Sequence, residues 1–310
     1  MNGNQTILTD FLLLGLFETP DLKVLAFFCL FVMYLLTLVG NITITLVTNL
    51  DKSLHTPMYF FLGNLSFLDI CYTSTTMPKM LQVLLAERKS ISFISCAIQL
   101  YLFFAFVGTE CILLGIMSYD RFLAICNPLR YSIIMSHKAC IYLAAFAWLS
   151  GFVNSAVHSF FTFCLHFCGS NKINYFYCDI PPLLSLSCDN TFLNEILLWS
   201  IGVVIAWMPF FCIIISYTYI IITIIKIKSS DGRQKAFSTC ASHLTVVILY
   251  YGSSIFSYVR PVSTYSLDKI KVFSVVYSIV TPMLNPLIYT LKNQDVKNAV
   301  GRQFIHKQHL

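Results

Sequence analysis

Four ionisable residues stand inside apolar stretches where charge is costly. "FLDI" carries Asp69, "TECI" carries Glu110, and "MSYDRFLAIC" carries the adjacent pair Asp120 and Arg121. Only 11% of the chain is charged, so each is conspicuous. Two carboxyl groups near one another can share a proton for hydrolysis, hold a cation, or sit neutral and hydrogen-bonded as a structural pair. An Asp–Arg pair can be a surface salt bridge, a catalytic acid with its base, or a switch. Depth in the fold decides among these.

The elements that set the depth follow from composition. The chain has 310 residues and is 57% hydrophobic, with 27 Phe and 17 Tyr. Soluble domains usually carry about 25% charged residues, more than twice the share here, so the class is a polytopic membrane protein. A spanning helix needs roughly 20 mostly apolar residues. Seven stretches qualify, at about 24–48, 57–81, 97–120, 139–162, 196–225, 236–259 and 270–290. The second, sixth and seventh are interrupted by Asn, Ser, Thr and Pro, as expected of helices that face other helices rather than lipid. Pro57, Pro209, Pro282 and Pro286 are expected to start or kink helices. The fold class is therefore all-α, a seven-helix transmembrane bundle between an N-terminal tail (1–23) and a C-terminal tail (291–310).

With a rise of about 1.5 Å per residue, Asp69 lies about 18 Å beyond Pro57, and Glu110 about 21 Å beyond Cys96. Both are expected near the middle of a hydrocarbon layer about 30 Å thick. Arg121 lies about 37 Å beyond Cys96, at the opposite rim of the membrane. Intramembrane acids are functional candidates by default. Three readings compete for Asp69 and Glu110, with Asn41 and Asn285 beside them: a sodium or proton site, a hydrogen-bonded structural pair, or an aspartyl protease. The protease reading lacks a Gly-x-Gly-Asp context. Arg121 reads either as an interfacial anchor, since Arg commonly snorkels to headgroups, or as a switch.

An outside N-terminus puts about a dozen of the 20 Lys and Arg residues on the inner side, the bias expected for that orientation. The opening "MNGNQTILTD" lacks the basic n-region and apolar core of a cleavable signal. Asn4-Gln5-Thr6 is a glycosylation sequon in the expected outer tail, whereas those at Asn41 and Asn64 fall inside spans. The one long loop, 163–195, carries Cys164, Cys168, Cys178 and Cys188 on the side of Cys96. Disulfides are permitted there, but their connectivity does not follow from sequence. After the last span, Val296, Ala299, Val300 and Phe304 share one face of a short amphipathic helix expected at the inner surface. The +6 net charge is scattered between apolar segments, which excludes a nucleic-acid footprint. The sequence contains no H-E-x-x-H, no phosphate-binding glycine loop and no nucleophile elbow, so it is not expected to be an enzyme.

Six motifs in order carry a family resemblance: "GN" at 40–41, "LHTPMYFFLGNLSFLDI" at 54–70, "MSYDRFLAIC" at 117–126, "SY" at 216–217, "KAFSTCASHL" at 235–244 and "PMLNPLIY" at 282–289. Over nearly its whole length the chain resembles a vertebrate olfactory receptor of the rhodopsin-like (class A) G-protein-coupled type. It departs from the family's usual residues at Ser118, Phe122, Leu123, Gly63 and Tyr250, none of them a charged switch residue.

The resemblance implies roles residue by residue. Asp120 holds Arg121 at rest. On activation Arg121 helps form the G-protein cleft, with Tyr217 and His243 as its new partners and Tyr289 in the same switch. Cys96 pairs with Cys178 and Cys168 with Cys188, holding a lid. An odorant sits among Phe104, Val107, Gly108, Cys111 and Ile112 of span three, Gly202, Val203 and Ala206 of span five, Tyr251, Ser254, Ile255 and Tyr258 of span six, and Ser278 of span seven. This apolar wall with a few hydroxyls suits a small, volatile, mostly neutral molecule. The implied partners are that odorant, membrane lipid and a stimulatory olfactory-type G protein that raises cyclic AMP. The implied location is the plasma membrane of olfactory cilia, and the one cofactor in question is a sodium ion near Asp69 and Glu110. Two alternatives are the same mechanism serving a metabolite in another tissue, and a transporter or channel. The latter is opposed by the absence of internal repeats.

Overall fold

The computed structural model describes residues 10–16, 19–86, 89–168, 170–258, 267–292 and 294–306. The Asn4 sequon and the side chains of Tyr258 and Phe304 lie outside the described residues.

Twelve helices are described: α1 (Pro20–Leu50), α2 (Pro57–Leu85), α3 (Phe93–Cys126), α4 (Pro128–Ile134), α5 (His137–Phe163), α6 (Ile180–Leu184), α7 (Phe192–Gly202), α8 (Met208–Lys226), α9 (Ser230–Tyr258), α10 (Leu267–Val275), α11 (Thr281–Lys292) and α12 (Gln294–His306). A π-helical turn, Val203–Trp207, joins α7 to α8, and another, Val276–Val280, joins α10 to α11. The seven expected spans are thus α1, α2, α3, α5, α7–α8, α9 and α10–α11. Most run several residues past the apolar stretch, because helical hydrogen bonding continues through polar end residues. The two π turns stand directly before Met208-Pro209 and Thr281-Pro282. Proline has no N–H to give the preceding turn, and a wider turn relieves that conflict.

Among the described residues, five of these rods are long and apolar enough to cross a membrane by themselves, α9 shows a shorter apolar run, Cys240–Ile255, and α2 does not qualify. The polar residues of α2, including Ser66, Asp69, Thr73 and Thr76, are buried against neighbouring helices. The bundle is apolar outside: Leu25, Phe28, Val39, Phe146 and Ile225 are exposed, while Asn41, Asp69, Glu110 and Asn285 are buried. That inverted arrangement is stable in lipid and not in water.

Helix α3 is central and packs on α2, α5, α8 and α9. Its closest neighbour is α5, where Gly151 lies against the α3 backbone. A Cβ on Gly151 would stand 2.2 Å from Thr109 Oγ1 and 2.4 Å from the Ala105 carbonyl oxygen. Next to it, the Ser155 hydroxyl donates to the Tyr101 carbonyl.

At the Cys96 end a lid closes the bundle. Strand β1 (Asp10–Leu13), from the expected N-terminal tail, lies between β2 (Ser90–Ser92) and β3 (Lys172–Ile173), antiparallel to the first and parallel to the second. This sheet and the small helices α4 and α6 were not legible as elements in the sequence. Phe11 and Leu13 alternate into the core, and Phe11 meets the rings of Phe93 and Phe167. The chain turns out of the sheet at Gly15, whose φ of 79° suits glycine alone.

At the other end, α12 buries Val296 and Ala299. It is clasped to the turn after α1, where Arg302 donates to Asp51 at 2.8 Å and to Ser53 Oγ at 2.9 Å. Hydrogen bonds from Ser53 and then Arg302 lower the Asp51 carboxyl to about 2, so the clasp stays charged at any physiological pH.

The tight α3–α5 contact gives a first prediction. Gly151→Ala has no flexible neighbour to displace, because its Cβ meets backbone and a buried threonine. The variant should lose about 1–3 kcal/mol, the cost of overfilling a close-packed interior. Thermal unfolding of the detergent-purified receptor, with surface expression alongside, measures this. An unchanged midpoint would contradict the contact.

Candidate functional site

The bundle contains three polar or hollow features along α3, α9 and α11. The first is a buried seam. In an α-helix the carbonyl of residue 282 would accept from the N–H of residue 286, but residue 286 is proline and has none. Asn41 Nδ2 takes that role from the facing helix, donating to the Pro282 carbonyl at 3.0 Å and to Thr37 O at 3.0 Å. Gly40 permits the approach, since a Cβ there would stand 2.9 Å from the Pro286 ring. One residue before that proline, Asn285 donates to Asp69 Oδ2 at 2.9 Å. The motifs "GN" and "NP" are therefore two sides of one contact. Glu110 faces the same interior, within electrostatic reach of Asp69. Neither of its carboxyl oxygens is hydrogen-bonded among the described residues, nor are Asp69 Oδ1, Asn41 Oδ1 and Asn285 Oδ1.

The second feature closes the far end of α3. Arg121 lies 3.3 Å from Asp120, and the Tyr131 hydroxyl of α4 donates to the other Asp120 oxygen at 2.8 Å. Burial first, and then Asp120, push the Tyr131 phenol well above its usual range, so it keeps the proton it donates. Tyr217 is not bonded to Arg121 here. Its hydroxyl is 2.7 Å from His243 Nδ1 and donates to the Cys240 carbonyl at 3.3 Å, tying α8 to α9. Tyr289 is buried nearby. The Ser118 hydroxyl is turned back onto the Gly115 carbonyl at 2.7 Å, and Phe122 packs on Tyr119 and Tyr219. These departures from the family pattern fill space and leave the ion pair intact.

The third feature is a cavity of about 140 Å³ toward the lid end, between α3, α5, α7–α8 and α9. Phe104, Val107, Gly108, Cys111, Gly202, Ala206, Tyr251, Ser254 and Ile255 line it, as the sequence led one to expect. Three expected residues do not. Ile112 is buried one position past Cys111, about 100° further round α3. Val203 is 50% exposed on the outer face, about 100° round the helix from Gly202, whereas Ile205, three residues beyond Gly202, returns to its face. Ser278 is buried in the second π turn and donates to the Ser274 carbonyl at 2.5 Å. Sequence reasoning missed Asn154 and His158 of α5, and Leu198, Trp199, Ile205, Trp207, Phe210 and Tyr250. A signal was present for the first two: polar residues four apart in an otherwise apolar span face the bundle interior.

The lid covers this end. Cys96 is joined to Cys178, and Cys168 to Cys188, with Cα atoms 5.6 and 5.9 Å apart. Gln99 accepts from the Cys178 N–H at 3.0 Å, and the hydroxyls of Tyr177 and Tyr277 meet at 2.7 Å. Cys164 is exposed and outside both disulfides.

The seam makes a quantitative prediction. Asn41→Ala leaves the Pro282 carbonyl unpaired in a water-free interior and should cost about 1–3 kcal/mol of stability. In a Pro286→Ala background the restored N–H can serve that carbonyl, so the same substitution should cost measurably less. A double-mutant cycle by thermal unfolding tests this coupling, and additive losses would refute it.

Comparison with known proteins agrees with this arrangement. The olfactory receptor family model matches residues 28–307. The mouse protein named Olfactory receptor 5AP2 is 52% identical over 97% of this chain and 95% of its own length. The human Olfactory receptor 13C9 is 50% identical over 98% of this chain and 99% of its own. Mouse Olfactory receptor 5AR1 is 49% identical over 96% of each. The chain therefore belongs to the olfactory receptor family, as a multi-pass membrane receptor of the G-protein-coupled class and not an enzyme.

Proposed function

We propose that the protein binds a small, mostly apolar odorant in the cavity under the lid and passes that event to a stimulatory olfactory-type G protein, raising cyclic AMP. The observation that carries this reading is the pairing of an apolar cavity toward one end of α3 with a charge pair at the other. Cavities of roughly 150 Å³ with apolar walls hold a benzene-sized molecule, which sets the ligand's size class. No Asp, Glu, Lys or Arg lines the cavity among the described residues, so a neutral ligand is favoured.

In this reading the lid end faces outside and the Asp120–Arg121 end faces the cytosol, in keeping with the basic bias of those segments. The resting receptor holds Arg121 on Asp120 while α8 and α9 are tied through Tyr217 and His243. Ligand contact with Tyr251 and Ser254 biases α9, whose far end carries His243. Release of His243 frees Tyr217 to meet Arg121, and Tyr289 closes on the same cleft. The working location is the plasma membrane of olfactory cilia, with a glycan on Asn4.

We further propose that the seam holds a sodium ion. Asp69 Oδ1, both Glu110 carboxyl oxygens and the Asn41 and Asn285 amide oxygens are buried, unpaired, hard donors of the type that suits a hard cation. The ion would supply positive charge between two carboxylates that otherwise repel.

Two measurements test these readings. In transfected cells screened with odorants through a cyclic AMP reporter, the wild type should respond. Arg121→Ala, matched for surface expression, should lose essentially all of that response; a ligand-gated current without G protein would overturn the mechanism. Replacing sodium by a larger cation should shift the odorant dose–response in the wild type and not in Asp69→Asn. An absent or equal shift would remove the ion from the account.

A further inference from the structure

The cavity's hydroxyls already have partners. Tyr250 donates to the Val107 carbonyl at 3.0 Å, Tyr251 to the Cys111 carbonyl at 3.2 Å, and Ser254 to the Tyr250 carbonyl at 2.7 Å. Their protons are spent on backbone, so they present only lone pairs to a ligand. The free donors stand on the opposite wall. Asn154 and His158, on α5, both line the cavity and are 8% and 5% exposed. Neither makes a hydrogen bond to any described residue, although the His158 ring is fixed against Phe104 at 5.8 Å between centroids. Four residues apart on one helix, they project from the same face one turn apart.

Buried polar groups are almost always hydrogen-bonded, and an orphaned N–H is rarer than an under-used lone pair. That wall therefore carries three unpaired N–H donors, two on the Asn154 amide and one on the neutral His158 ring, beside the amide oxygen and the second ring nitrogen as acceptors, and it is the donors whose lack of a partner costs more. Room for a ligand atom beside the amide comes from Gly108: a Cβ there would stand 3.4 Å from Asn154 Nδ2. We propose that the ligand carries a carbonyl oxygen, as an aldehyde, ketone or ester, and that Asn154 and His158 donate to it while its hydrocarbon part lies against Phe104, Leu198 and Phe210. A carbonyl brings two lone pairs, one for a donor from each of the two side chains. The proposal rests on the cavity being the odorant site.

The test is a cyclic AMP reporter screen with a shape-matched panel: aliphatic and aromatic aldehydes, ketones and esters, beside the alkenes, ethers, alcohols and amines of the same skeleton. Agonists should be carbonyl compounds, with the matched hydrocarbons silent. Asn154→Leu and His158→Phe, normalised for surface expression, should each raise the half-maximal concentration for a carbonyl agonist about tenfold or more, the scale of one buried hydrogen bond. They should also narrow its advantage over the matched hydrocarbon. His158→Gln, which keeps a donor, should recover part of the loss. Ala206→Phe, which fills the cavity without touching the polar wall, should abolish the response. If it does not, the cavity reading itself fails. If Ala206→Phe blocks the response while both polar-wall variants leave carbonyl preference unchanged, or depress every panel member alike, the cavity stands and the carbonyl proposal falls.

Discussion

The interior of this bundle offers no bulk water, so a buried polar group gains from a partner within the chain. The clearest consequence is the contact between the Asn41 amide and the Pro282 carbonyl. Pro286 removes the N–H that would have served that carbonyl, and a residue about 240 positions away in sequence supplies the donor instead. Gly40 keeps the two helices close enough for the bond, and Asn285 extends the seam to Asp69. One missing proton thus ties α1 to α11, and the Asn285–Asp69 bond brings α2 to the same seam.

The same scarcity of partners organises both ends of α3. At one end, each hydroxyl around the cavity has turned to a backbone carbonyl, which leaves an apolar chamber with its remaining polar capacity on α5. At the other end, Asp120 is satisfied by Arg121 and Tyr131, and Tyr217 by His243 and a carbonyl. Most of these bonds run between helices, from α9 to α3 at one end and from α8 to α9 at the other. A receptor needs an element that two sites can bias in common, and α9 carries contacts of both ends.

The lid adds a different constraint. A strand from the N-terminal segment is held between the loop before α3 and the long loop after α5, and two disulfides fix the latter. Edge strands of two to four residues are too short to be stable alone; here Phe11 and Leu13 anchor them in the core. Segments distant in sequence therefore close this end of the bundle.

The sequence by itself determined the helical membrane class and the course of the long apolar helices, because apolar length is a local quantity. Its ordered motifs identified the family and named both sides of the seam. The set of side chains around the cavity was only partly legible. Val203 lies outside the cavity and Ile205 lines it, since three residues beyond Gly202 the helix returns to the same face and one residue beyond it does not. Ser278 was displaced within the second π turn. The β1 strand was unreadable in a tail whose pairing partners lie 80 and 160 residues away, roughly, since strand pairing is a non-local choice. Tertiary structure alone decided which polar groups around the cavity were already paired. Periodicity tells which face a side chain is on; only the neighbouring helix tells whether its proton is free.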